Sequence, residues 1–431
     1  MGISEAIYFV VFAGLLLWFI GYQSWVRVET FSANQIRFFF AVKIMVGIGF
    51  TLLYKYYYDD RGNSDAFKFY DDAMLLYQHF KTDPWSWFKL MIGVDLQDPK
   101  VVNMVDELNH WFKLYKRGMF NDNQTIIRFN ALLMPITTGF YFVHVLIINF
   151  LSAFGMLALV KFFENWGVKN KWFFIGLLLF PQVIFWSSGL LKEGLLFSIF
   201  GWLLIAIQRV VFKISFKSLL VFCICVYLAF LIKNYVLIAL LPGIIILFVH
   251  KKYPRISPLA MALGILMVGV STAILFNSLF DLHIPISIYQ KQRDFINEAE
   301  LTKAGSYFHS FVLEPTWWGL IKNGPYAIWN CFVQPSVFNA NNVLMWGAAF
   351  ENLFIILAVI VVMIFPNTQF LSSDRAAFSI LFILVILVII GWVTPISGAL
   401  VRYKIPAIPF MLFLFFRGTN WSRIQNLFQK S

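Results

Sequence analysis

Residues 376–394 read AAFSILFILVILVIIGWVT, a run of nineteen residues without a charged side chain. A run of about 20 apolar residues in an α-helix is long enough to cross the hydrocarbon core of a bilayer. Ten further segments meet the same requirement, so the sequence predicts an all-α, polytopic integral membrane helix bundle with about 11 transmembrane helices in a single domain, 1–431. The eleven predicted spans are 6–24, 37–57, 139–161, 172–187, 192–210, 218–233, 235–250, 257–278, 345–365, 376–394 and 403–417.

The composition of the whole chain supports this class. Apolar residues make up 60% and charged residues 13%, and the mean hydropathy is +0.74. A soluble globular domain has about a quarter charged residues, so that class is excluded. The three cysteines are Cys223 and Cys225 in an apolar segment and Cys331 alone. They form neither a disulfide framework nor a metal cluster in the sequence, and we interpret them as structural.

Lysine and arginine residues in the short connections set the expected orientation. One side of the membrane holds 15 of them and the other side holds 4. The N-terminus is therefore expected outside and the C-terminus in the cytoplasm, as a multi-pass protein of a bacterial inner membrane. This bias also explains the net charge of +12 without a nucleic-acid partner. The first apolar segment lacks a basic n-region and a cleavage site, so it is expected to be a retained span.

This orientation leaves two long extracytoplasmic loops, 58–138 and 280–344. The first contains MLLYQHF (74–80), PWSWFKLMIG (84–93) and LNHWFKLYK (108–116). These segments mix aromatic and aliphatic residues with lysine, and they predict short amphipathic helices on the outer membrane surface. No internal repeat is seen, which mildly disfavours a transporter because many transporters are built from repeats.

Carboxylates gather in the first loop. Residues 56–73 read YYYDDRGNSDAFKFYDDA, with five aspartates, and 11 of the 22 acidic residues fall between Tyr58 and Asn130. Asp65 is the preferred functional candidate because Gly62 and the pair Phe69-Tyr70 flank it, and a solvated loop explains it poorly. Asp71 and Asp72 are expected to be solvated.

Other polar residues are expected on the same outer face, and each also has a structural interpretation. Lys192 and Glu193 fit an interfacial pair that closes a turn. Lys233, in the turn predicted between two spans, fits a snorkelling lysine, and Glu351 fits a carboxylate opposing a helix dipole. The remaining structural interpretations are lipid-headgroup anchors for Arg402 and Lys404, and packed or snorkelling side chains for Lys43 and His144.

Together these groups suit a sugar linked to a polyprenyl phosphate or diphosphate. Arginine and lysine would hold the phosphates, arginine through its planar fork. A carboxylate would accept the proton of an attacking sugar hydroxyl or hold a metal ion on the diphosphate. Carboxylates also suit the oxocarbenium-like transition state of glycosyl transfer.

Four segments carry a family resemblance: GNSDAFKFY (62–70), RFNALLMPITTGFYFV (128–143), FPQVIFWSSGLLKEG (180–194) and RYKIPAIPF (402–410). They resemble membrane glycosyltransferases of the GT-C superfamily, particularly members from Bacteroidota-type bacteria. The resemblance implies many spans, a long outer loop with a catalytic carboxylate, and a lipid-linked donor. GT-C enzymes usually place the acidic loop after the first span, whereas here it follows the second. That order is closer to EpsG/Wzy-like polysaccharide polymerases.

From the sequence we therefore expect a membrane glycosyltransferase that transfers a sugar from a polyprenyl-phosphate donor to a glycan, lipid or protein acceptor of the cell envelope. A polysaccharide polymerase is the near alternative. A lipid-linked glycan transporter or a non-catalytic assembly subunit is the alternative of another class. Asp65 is the first choice as general base or metal-bound carboxylate (Mg or Mn), with Asp60 and then Asp59 behind it. The predicted substrate and phosphate contacts are Lys192, Glu193, Lys233, Glu351, Arg402 and Tyr403.

Overall fold

A computed structural model describes residues 2–22, 28–57, 61–112 and 121–429. Within these residues the chain forms α-helices and two short 3-10 turns, and no β-strand. The helices are α1 (Ile3–Ile20), α2 (Ala33–Tyr57), α3 (Asp65–Thr82), α4 (Pro84–Ile92), α5 (Pro99–Asp106), α6 (Asp122–Thr137), α7 (Tyr141–Asn165), α8 (Lys171–Leu179), α9 (Pro181–Ser188), α10 (Lys192–Phe212), α11 (Phe216–Lys252), α12 (Pro258–Phe280), α13 (Ile284–Leu301), α14 (Trp317–Val333), α15 (Val343–Ile364), α16 (Thr368–Leu371), α17 (Asp374–Val393), α18 (Ser397–Tyr403), α19 (Ile408–Gly418) and α20 (Trp421–Gln429).

In the described part of the chain, nine helices are long and apolar enough to cross a membrane. Helices α8 and α9 form a bent pair with an angle of 45° and give a tenth span if they are counted together. The protein is therefore a multi-pass helical membrane protein, as the apolar runs predict. The apolar run 376–394 corresponds to helix α17, which ends at Val393. Ser373 caps its start by accepting a hydrogen bond from the backbone N–H of Ala376.

The predicted count of eleven differs from these numbers at α11. We expected two spans, 218–233 and 235–250, with a tight turn at Lys233. The structure has two helical runs, together 37 residues long, that meet at a kink at Lys233, whose φ of −154° and ψ of 83° are non-helical. A straight helix of that length would measure about 55 Å, almost twice the thickness of a hydrocarbon core. The break at Lys233 divides it into two runs that are each about one membrane thickness long.

The described chain divides into two compact units. The first unit comprises Met1–Lys169 and Ile184–Asn234, and the second comprises Asn170–Val183 and Tyr235–Ser431. The boundary in α11 follows Asn234, directly after the break. The prediction of a single membrane domain is not tested by this division and stays a prediction.

The first unit is built around α7 and α10. Gly155 and Gly201 allow these helices to approach closely: a Cβ atom on Gly155 would lie 1.8 Å from the carbonyl oxygen of Phe197. On Gly201 it would lie 2.1 Å from the carbonyl oxygen of Gly155. Small residues at such crossings are the usual means of close packing between membrane helices.

The segment between α2 and α7 folds into α3–α6. The predicted helices at 74–80 and 84–93 are confirmed as part of α3 and as α4. Asp83 and Asp98 cap the starts of α4 and α5, and each is followed by proline at the first helical position. The predicted helix at 108–116 is wrong over 108–112, which are irregular, and its remaining residues lie outside the described ranges.

The second unit packs α14 against α17, where a Cβ atom on Gly391 would lie 2.2 Å from the carbonyl oxygen of Ala327. A cluster of buried apolar side chains joins α11, α12 and α17. Between the candidate spans α12 and α15 lie α13 and α14, so the predicted loop 280–344 contains two helices. The side of the membrane on which the loops 58–138 and 280–344 lie stays a prediction.

Candidate functional site

Asp65 is the first residue of α3 and forms an ion pair with Lys68, one turn further on, at 2.5 Å. Residues at positions i, i+3 and i+4 share one face of a helix, so Phe69 lies on this face as well. The ammonium group of Lys192 lies 4.8 Å from the centre of the Phe69 ring. The structure therefore brings Lys192, at the start of α10, to the face of α3 that carries Asp65.

Lys192 is held by the start of α6. Its Nζ atom lies 3.0 Å from an Asp122 carboxylate oxygen and donates a hydrogen bond of 2.6 Å to Asn123 Oδ1. The amide group of Asn123 donates in turn to the carbonyl oxygen of His110. The side chain of Lys192 is 14% exposed, so its charge is only partly open to water.

Glu193 and Lys233 form a buried ion pair. Their charged atoms are 3.4 Å apart, and their side chains are 3% and 7% exposed. Glu193 is predicted as a substrate or phosphate contact beside Lys192, and the structure shows Lys233 as a partner of its carboxylate. Lys233 is the residue at which α11 is interrupted, and a break of this kind releases backbone carbonyls from the helical pattern. Thr125 Oγ1, on α6, donates to one nearby carbonyl oxygen, that of Leu231.

Asp72 contradicts its prediction. It was expected to be solvated, but its side chain is 1% exposed. It accepts hydrogen bonds from the backbone N–H groups of Asn109 and His110, at 3.2 and 2.8 Å. These bonds hold the irregular segment 108–112 against α3. Asp71 fits the prediction better, because its side chain is half-exposed and forms a bidentate pair with Arg61.

Asp59 and Asp60, the other predicted catalytic residues, lie outside the described residues. Among the described residues, no group of three or more His, Cys, Asp or Glu side chains is placed to hold a metal ion. The predicted divalent cation on Asp65 or Asp60 is not tested by this finding and stays a prediction.

Glu351, Arg402 and Tyr403 belong to the second unit. Glu351 lies two turns into α15, so opposing the dipole of its own helix does not explain it. Its carboxylate accepts a hydrogen bond from the backbone N–H of Gln182 in the first turn of α9. The carbonyl oxygen of Tyr403 accepts from the Tyr235 hydroxyl, and the guanidinium of Arg402 lies 5.4 Å from the Tyr403 ring centre. The prediction that these residues share a pocket with Asp65 stays a prediction.

Two lysines in candidate spans are buried. Lys43 was expected to be packed or snorkelling, and it is packed: it donates to Ser187 O, Ser187 Oγ and Ser188 Oγ at the end of α9. Lys404 was interpreted as a lipid-headgroup anchor, and that interpretation is wrong. It is buried and donates to Cys331 O and to Asn352 Oδ1, so it cannot reach a headgroup.

Asp122, Asn123 and Arg128 are not among the site residues predicted from the sequence. One signal was present, because Asn121-Asp122 precedes a helical pattern and is typical of a helix start. Asn121 does cap α6 by accepting from the backbone N–H of Asn123. The distance between this helix start and Lys192, 69 residues along the chain, is not visible in any local pattern.

The first unit thus brings a carboxylate, two ammonium groups and an aromatic ring to one face of α3, with a buried ion pair beside Lys192 in sequence. This arrangement is suited to proton transfer at Asp65 and to electrostatic stabilisation of an anion by lysine. Comparison of the chain with protein-family models, with curated proteins and with solved structures finds no significant match.

Proposed function

We propose that this protein is an integral membrane glycosyltransferase that transfers a sugar from a polyprenyl-phosphate donor to a cell-envelope acceptor at the periplasmic face. The observation that carries the proposal is the proximity of Lys68 and Lys192 to the face of α3 on which Asp65 lies. A base next to cations is what the reaction requires, because a proton leaves the acceptor while negative charge grows on the departing phosphate.

In the proposed reaction, an acceptor hydroxyl gives its proton to the Asp65 carboxylate as its oxygen bonds to the anomeric carbon. The bond between that carbon and the phosphate oxygen breaks, and both of its electrons leave with the polyprenyl phosphate. Lys192 would stabilise this anion. Because Lys192 is paired with Asp122, the phosphate has to displace the Asp122 carboxylate, at least in part, to contact the Lys192 ammonium group. The near alternative, a polysaccharide polymerase, uses the same steps with a growing glycan as the donor.

A lipid-linked glycan transporter is the second candidate, and one observation favours it. Buried lysines and helix interruptions within candidate spans are typical of transporters. Lys43 and Lys404 are buried in such spans, α11 is broken at Lys233, and α8 and α9 are bent relative to each other. The transferase is preferred because the charged groups around Asp65 belong to helices outside the candidate spans or to their ends.

To test the proposal, the chromosomal gene is replaced by a copy that encodes the Asp65→Asn variant and, in a second strain, by a copy that encodes the Asp71→Asn variant. Both aspartates lie on α3 and both pair with a cation, but the Asp71 side chain is 42% exposed and that of Asp65 27%. At equal protein levels, Asp65→Asn should reduce surface-glycan assembly by about 100-fold or more, as loss of a general base does. Asp71→Asn should leave it within about twofold. Normal assembly in Asp65→Asn and in Arg402→Ala would show that the site is wrong.

Two further outcomes separate the alternatives. Movement of a lipid-linked glycan across vesicles that contain the protein, without any glycosyl transfer, would favour the transporter. Reporter fusions at residues 70 and 310 test the orientation, and a cytoplasmic location for either would contradict transfer at the periplasmic face.

A further inference from the structure

Arg128, in the first unit, is held in a fixed orientation on α6. Its Nε–H donates to the carbonyl oxygen of Leu90 at 3.0 Å, and one Nη1–H donates to Gln124 Oε1 at 3.3 Å. The guanidinium lies 4.7 Å from the centre of the Trp111 ring. Trp111 is itself buried, so the plane of the guanidinium is fixed by contacts on two sides.

The outer edge of this guanidinium has no partner in the described chain. Arginine has five N–H donors, and the two bonds above leave both donors of Nη2 and one of Nη1. None of these meets an acceptor among the described residues, and no carboxylate of those residues lies within ion-pair distance. Lys89, Lys192 and Lys233 differ in this respect, because each of them pairs with a carboxylate.

Such an arrangement is costly unless an anion completes it. Burial lowers the pKa of the Arg128 guanidinium from its ordinary value. A partly buried cation is normally compensated by a carboxylate or by a bound anion. The two Nη groups form a planar fork that matches two oxygens of a phosphate.

Apolar side chains continue from Arg128 along the same face of α6. Leu132 and Ile136, at positions i+4 and i+8, are both exposed. Tyr227, on α11, is exposed and close enough to interact electrostatically with the guanidinium. A cation at one end of an exposed apolar strip is complementary to a phosphate that carries a long apolar chain.

We propose that Arg128 binds the phosphate of a lipid-linked substrate through its Nη fork, with the apolar chain of that lipid lying on Leu132 and Ile136. The identity of the lipid as the polyprenyl-phosphate donor rests on the proposed function. Arg128 is then a second phosphate contact besides Lys192. Unlike Lys192, it can bind the phosphate without first giving up a carboxylate partner among the described residues.

The experiment measures binding of a polyprenyl phosphate to the full-length protein in phosphatidylcholine nanodiscs. Arg128→Ala should weaken binding at least tenfold. Arg128→Lys should weaken it severalfold, since an ammonium keeps the charge but lacks the fork. The matched control is Lys100→Ala, which removes an exposed cation of the same loop and should change binding less than twofold. An unchanged melting temperature of Arg128→Lys without ligand shows that the fold is intact.

Competition distinguishes the sources of phosphate. Phosphatidylglycerol or inorganic phosphate at tenfold excess should not displace the polyprenyl phosphate. Equal displacement by either, or binding by Arg128→Ala within twofold of the natural protein, would overturn the proposal. If binding depends on Arg128 but Asp65→Asn leaves glycan assembly normal, the proposed transfer reaction is contradicted and the phosphate site at Arg128 is supported. If assembly depends on Asp65 but polyprenyl-phosphate binding does not depend on Arg128, only the site at Arg128 is contradicted.

Discussion

Replacement of Lys233 by methionine should destabilise the protein strongly, because it removes a buried ammonium group that pairs with the buried Glu193 carboxylate. The two side chains are 3% and 7% exposed, and their charged atoms are 3.4 Å apart. Lys100 and Asp83 form a pair of the same length, 3.4 Å, but the Lys100 side chain is 72% exposed. The two pairs therefore differ mainly in burial, and Lys100→Met is a matched control.

The size of the effect follows from the distance and the surroundings. Two unit charges 3.4 Å apart attract each other by about 5 kcal/mol at an effective dielectric constant of about 20, and by about 1 kcal/mol in water. Removing one partner of a buried pair typically costs about 3–5 kcal/mol, because the other charge stays desolvated. We expect Lys233→Met to fall in this range and Lys100→Met to give no measurable change, because water screens an exposed pair.

A double-mutant cycle in detergent micelles checks the origin of the loss. Lys233→Met, Glu193→Leu and the double variant are unfolded with a denaturing detergent, and the free energies of unfolding are compared. The double variant should recover most of the loss, since two apolar side chains replace a charge pair that was expensive to desolvate. Losses that add within about 0.5 kcal/mol would refute the reasoning, because additivity is the behaviour of independent sites.

Three further predictions concern the first unit. Gly155→Ala should lower the melting temperature by several degrees, because its Cβ would collide with the Phe197 carbonyl, whereas Gly14→Ala has open space and should have no effect. Asp72→Asn should speed amide hydrogen exchange at Asn109 and His110, because the Asp72 carboxylate accepts hydrogen bonds from their backbone N–H groups. Lys89 holds the pKa of Asp98 below its ordinary 3.8, and Asp95 and Asp98 raise the pKa of Lys89 to about 12. The ion pairs of Lys89 should therefore stabilise the connection between α4 and α5 fully from pH 3.8 to 10.5. This stabilisation should be lost as the pH falls through the pKa of Asp98 or rises towards 12. Amide hydrogen exchange in the connection, corrected for the intrinsic exchange rates, measures the loss.

The spans could be predicted because burial in a bilayer is a local requirement. A helix that faces lipid on most sides must be apolar along its whole length, whatever its neighbours are. Helix α17 therefore coincides with the predicted span 376–394 to within a few residues. The prediction at Lys233 was partly right for the same reason. A charged residue within an apolar run does mark an irregularity, but periodicity cannot say whether the chain turns there or continues as a broken helix.

The carboxylates of the first loop show what a local pattern cannot determine. Asp83 and Asp98 could be read as helix caps, because a cap and the helix it starts are adjacent in sequence. Asp72 could not be assigned in this way, because its partners Asn109 and His110 are 37 and 38 residues away. Nothing near Asp72 in the sequence distinguishes a buried acceptor from a solvated side chain on the outer face of α3.

The same contrast applies to the candidate site, where the charged residues can be proposed from the sequence but their partners cannot. A charged side chain is costly in an apolar environment, so its presence next to an apolar run is informative by itself. The compensating partner is chosen by the packing of helices that are distant in sequence. Lys192 is matched by Asp122 and Glu193 by Lys233, and adjacent residues of α10 are thus tied to two different helices, α6 and α11. Arg128 follows the same rule in the opposite sense: the described residues hold no compensating anion for it, and the phosphate of a lipid is the partner we propose.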